Sequence, residues 1–171
     1  MDWQYAVEKV KPYVVKIETP DGHGTGFFCL KNTEGTIGGI ATAMHVVAHA
    51  VRWQQPIRII VYDLDGKMNG VAFLKESERV VRPNWQNDSA MIIFPTSEIG
   101  FPEQLIPLFP TERFLPIGVE VGWLGFPAIE QYRCCFFSGN VSAHNIDLNW
   151  YLIDSVAING VNRHRKTLPI H

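Results

Sequence analysis

Two short apolar, β-prone runs, residues 26–30 and 36–41, flank the polar stretch 31–35, and this alternation predicts a hairpin. The second run leads directly into His45, a titratable ring at the end of a strand, where packed neighbours can hold an imidazole against a cleft. The same reading along the chain predicts strands at 13–18, 57–62, 71–74, 90–94, 118–124, 132–137 and 150–153. A short helix is expected at 5–10, ending before Pro12, with turns at 19–24 and 63–66. His23 is expected to be a solvated residue of the first of these turns. From Pro95 to Pro116 five prolines interrupt any alternation, which predicts a linker between two lobes. Many short strands with Gly and Pro turns and almost no helix imply an all-β architecture.

Composition narrows the function classes. With 46 % hydrophobic and 19 % charged residues, the 171-residue chain has globular composition and enough apolar surface for a core. A net charge of −2 provides no basic footprint, so nucleic acid is not an expected partner. No apolar run is long enough to span a bilayer and the first residues lack a signal-peptide pattern, so no membrane is expected and a cytoplasmic location is. Three cysteines, two of them the adjacent Cys134 and Cys135, suit reduced core thiols better than a disulfide framework. His45 and His49 have the spacing of one helix face, but no third ligand stands at a fitting distance, and no metal or cofactor is expected. Asp63 and Asp65 read as a plain turn, since no calcium-loop pattern continues from them.

Four segments carry a family resemblance. Thr42-Ala43-Met44-His45-Val46 resembles the segment bearing the catalytic histidine of trypsin-like (chymotrypsin-fold) serine peptidases, and Asn87-Asp88-Ser89-Ala90-Met91-Ile92-Ile93 resembles the one bearing their aspartate. Gly139-Asn140-Val141-Ser142-Ala143 and Asp154-Ser155-Val156-Ala157-Ile158-Asn159-Gly160 resemble a strand of the second barrel and the run into the nucleophile. Their order is the chain order of that fold. The likeness spans residues 14–161 and is nearest to the bacterial quality-control peptidases. It implies two six-stranded β-barrel lobes of the trypsin-like type, the second one incomplete. The expected division is a first lobe over 1–95, a linker over 96–116, a partial second lobe over 117–161 and an atypical basic tail over 162–171.

The resemblance also assigns roles. His45 would be the general base and Asp88 the carboxylate that fixes its tautomer and stabilises the imidazolium, with a peptide or protein as substrate. At the nucleophile position, eight residues beyond Asp154, the chain has Asn162 rather than serine, followed by Arg163-His164-Arg165 in place of Gly-Gly-Pro. An amide is no nucleophile for acyl transfer, and the glycines that shape an oxyanion hole are missing. The chain is therefore expected to be an inactive member of a serine endopeptidase lineage, its tail replacing the family's C-terminal part. Alternatively it is a non-catalytic homologue that binds peptides or protein partners along the cleft. By the same carry-over Val156 would lie near the base of the specificity pocket and favour small or apolar side chains.

Overall fold

Asp2 opens the chain as a helix cap, its Oδ1 accepting from the Tyr5 N–H at 3.2 Å, and α1 runs Trp3–Val10 until Pro12 diverts the chain through one 3-10 turn. The computed structural model describes residues 2–108, 114–145 and 150–155. Asn162, Val156 and the tail 162–171 lie outside the described residues.

The strands follow in chain order: β1 (Val14–Thr19), β2 (Gly22–Lys31), β3 (Ile37–Ala43), β4 (Ile57–Tyr62), β5 (Met68–Leu74), β6 (Val80–Asn84) and β7 (Ser89–Pro95). The helix α2 (Met44–Arg52) leaves directly from the end of β3. These strands form one antiparallel sheet in the order β5-β4-β1-β2-β3-β7-β6. Alternate residues of each strand face inward, and Ile17, Phe28, Ile40, Ile59 and Ile92 meet there with at most 2 % of their surface exposed. Val47 and Ala50 of α2 join this core, fully buried.

The all-β, two-lobed architecture is as expected, but the first sheet has seven strands, with β5 and β6 as its ends, rather than a closed six-stranded barrel. The extra strand, β6, contains Pro83 opposite Ala90. Proline lacks an N–H for a ladder and is tolerated on an edge strand, so a proline-bearing run with little alternation hid it in the sequence. Beside the ends of the sheet, the Pro-rich segment supplies apolar cover. Ile99 is 6 % exposed and packs next to Gly70 of β5, while Phe101 lies 4.5 Å from the Phe28 ring and 5.5 Å from that of Phe94. Gly38 permits this: a Cβ there would sit 2.2 Å from the Phe101 ring.

A second sheet holds β8 (Glu120–Gly125), β9 (Cys135–Asn145) and β10 (Trp150–Asp154), in the order β10-β9-β8. It packs through β8 on β1 and β2 of the first. Consequently β1 is buried on both sides, Val15 and Ile17 inward and Val14 and Lys16 outward. The Phe126 N–H, just past β8, donates to Thr25 Oγ1 on β2 at 2.9 Å, and its ring stacks obliquely on Tyr62 at 5.3 Å. Trp3 of α1 rests on Phe136 of β9 at 5.1 Å.

Candidate active site

The position of the site is set by strand register. β3 and β7 pair so that Ala43 stands opposite Ser89, which places the residue before Ser89 beside the first turn of α2. That helix begins without a side-chain cap of its own, because its N-cap is Ala43. Its first amides need acceptors, and Asp88 provides them from across the sheet. The Met44 N–H donates to the Asp88 carbonyl at 2.9 Å, and the His45 N–H donates to Asp88 Oδ1 at 2.8 Å. The other carboxylate oxygen, Oδ2, lies 2.7 Å from His45 Nδ1. An ionised carboxylate only accepts, so Nδ1 carries the proton and the ring's basic lone pair is on Nε2.

Asp88 adopts φ +48°, in the left-handed region, at the turn between β6 and β7. Aspartate is among the few residues that accept this conformation, and here it directs both carboxylate oxygens at α2. The side chains are not deeply buried: 57 % of His45 and 30 % of Asp88 is exposed. Asp88 sits on a turn at the sheet margin and not inside the core. On the opposite side α2 is supported by β2, where Gly24 lies so close to Val46 that a Cβ would come within 2.5 Å of its Cγ2.

The remaining candidates separate from this pair. His49 Nδ1 engages Gln55 Oε1 at 2.8 Å, so the two histidines of α2 serve different partners, and among the described residues no cluster of His, Cys, Asp or Glu has metal-holding geometry. Asp63 organises the β4–β5 turn, accepting the Lys67 N–H on Oδ1 at 2.8 Å. All three cysteines are free thiols; burial pushes Cys29 and Cys134 up to about 11, which keeps them protonated and poor nucleophiles. Ser155 follows β10 as the last described residue before the position of interest. A recess of about 460 Å³ lies elsewhere, between α1, the β4–β5 turn and Phe136, and includes neither His45 nor Asp88.

His23 corrects the sequence reading. It is a half-buried residue of β2 rather than a solvated loop residue, because the second sheet's Pro127 backbone lies against it. Nothing in its local sequence signals that cover.

No protein-family model matches the sequence, and neither does any curated protein. Among solved structures, the crystal structure of Deg5 superposes with a TM-score of 0.68 at 20 % identity, covering 92 % of this chain and 75 % of that one. The fold is that of trypsin-like serine proteases. A second structure with this fold, the HtrA-type protease AlgW with a decapeptide, gives a TM-score of 0.58 at 15 % identity over 94 % of this chain. The present chain spans 53 % of the AlgW chain, about half of it. Within the trypsin-like fold described here, the His45 segment runs from the end of β3 into α2, the Asp88 segment from the β6–β7 turn into β7, and the two meet where these paired strands end.

Proposed function

We propose that this chain is a serine-endopeptidase homologue in which His45 and Asp88 form the base pair of a His-Asp-Ser site whose nucleophile position is held by Asn162. The observation that carries the reading is the two-point contact of Asp88 with His45, backbone N–H and Nδ1 together, in a trypsin-like fold. Oδ1 fixes the start of α2 and Oδ2 fixes the ring, so the carboxylate orients the imidazole and would stabilise the imidazolium formed when Nε2 takes a proton. In a peptidase that proton comes from a serine hydroxyl attacking the scissile carbonyl. Asn162 has no hydroxyl to give, and the Gly-Gly segment that would bind the oxyanion is replaced by Arg163-His164. The base pair therefore has no partner for acyl transfer in this sequence.

Extended peptide or protein chains are the proposed ligand class, by analogy with the decapeptide of the AlgW structure. A lobe over 1–95 bearing the base pair and a second over 117–161, joined by 96–116, is the proposed organisation. A casein-hydrolysis assay on the chain and on His45→Ala tests the reading. Both are expected at buffer background; cleavage by the parent that disappears in His45→Ala would show a working nucleophile and overturn it.

A further inference from the structure

The seam between the two sheets contains an ionic cluster that the His45 site does not use. Lys16, on the outer face of β1, is 1 % exposed, and its Nζ donates to Glu18 Oε1 at 2.5 Å. Arg58 of β4 donates from Nη1 to Glu18 Oε2 at 2.9 Å, so both carboxylate oxygens are engaged. From the loop joining β8 to β9, Tyr132 places its ring centre 5.2 Å from Lys16 Nζ. His23 of β2 stands directly opposite Glu18 in the β1–β2 ladder, and the Pro127 carbonyl of that same loop accepts from its ring. Three strands of the first sheet thus face the 126–132 loop through one cluster, beside the Phe126-to-Thr25 hydrogen bond.

We propose that His23 is a pH-sensitive latch on this seam: its neutral ring holds the 126–132 loop against the first sheet, and protonation releases it. The charged groups acting on it are Lys16 and Glu18; Arg58, held on the second oxygen of Glu18, makes the cluster two cations and one anion, with the phenol of Tyr132 above Lys16. Protonating the ring adds a third cation, while the single carboxylate already serves two. His23 Nε2 is buried and has no hydrogen-bond partner among the described residues, so a proton placed there gains no acceptor. Burial first, then the charge of Lys16, hold the imidazole below its ordinary value of 6.5, outweighing the opposite pull of Glu18 and the Pro127 backbone. For a group lowered in this way the contribution to the closed seam is fully present above that ordinary value. It is lost as pH falls through the lower, folded-state value. The latch also adjoins the support of the base pair, since Thr25 follows the Gly24 that packs on Val46, next to His45.

Amide hydrogen exchange on the whole chain, followed by NMR between about pH 7.5 and 5 and corrected for intrinsic exchange, tests the latch. The Phe126 amide is expected to lose protection on acidification, by at most about tenfold per pH unit, the limit for one proton. The Ile40 amide, in the core of β3, is expected to keep its protection, and His23→Gln to abolish the pH dependence at Phe126. A flat Phe126 profile in the parent, an unchanged slope in His23→Gln, or a parallel loss at Ile40 would each overturn the proposal. If His23→Gln does not fold, the parent alone decides: the His23 ring titration and the Phe126 loss must share a midpoint, and separate midpoints refute the latch.

Discussion

Asp88 performs two tasks with one carboxylate, supplying the cap that Ala43 cannot and fixing the ring of His45. That economy explains why a non-glycine residue occupies φ +48° here: the geometry that costs backbone freedom is the one that aims both oxygens at α2. Both residues of the pair were legible in the sequence because each lies in a short motif of its own. Their mutual orientation was not, since it depends on a turn conformation that aspartate does not by itself dictate. At Gly38 the requirement is steric, and a methyl group would overlap the Phe101 ring. Gly38→Ala should lower stability by about 1–3 kcal/mol, as overpacked cores do, whereas Gly100→Ala, with nothing within 4 Å of its Cβ position, should stay within about 0.5 kcal/mol of the parent. Paired urea titrations compare the two.

The unit that builds the site is the β3–β7 ladder followed by α2. The hydrophobic alternation of residues 90–94 made β7 visible, with Ala90, Ile92 and Phe94 all turned to the core. The hairpin of β2 and β3 was equally plain, though α2 begins at Met44, so His45 lies in the first turn of a helix and not at the end of a strand. A helical start there is concealed by the β-branched pair Val46-Val47 and the absence of a capping side chain at Ala43. Because the ladder carries the site, its core contacts should matter more than any surface residue of the same strand. Ile92→Ala, at a fully buried position, is expected to cost about 2–5 kcal/mol and to lower the denaturation midpoint without changing the slope.

Across the whole molecule, the second sheet decides what local patterning could not. Lys16 occupies the outward position of β1, where alternation alone places a lysine in solvent, and it is buried there because β8 and Tyr132 of the 126–132 loop lie against that face. His23 was misjudged for the same reason. Glu18 compensates the buried lysine: burial raises its carboxyl, but the hydrogen bond and charge of Lys16, with Arg58, outweigh this and hold it below the usual range. The Glu18 contribution is therefore fully present above the ordinary carboxylate value of 4.5 and is lost as pH falls through the lower, folded-state value.

The His45–Asp88 contact is the centre of this account, and the proton on Nδ1 reports it directly. In a proton NMR spectrum of the intact chain, that proton is expected far downfield of the other imidazole N–H signals and assigned to His45 by its absence in His45→Gln. In Asp88→Asn, which removes the charge and nearly preserves the shape, the signal should disappear or move back to the ordinary range. A His45 Nδ1–H signal that is unshifted in the parent, or identical in Asp88→Asn, would contradict the base pair and with it the functional reading of the site.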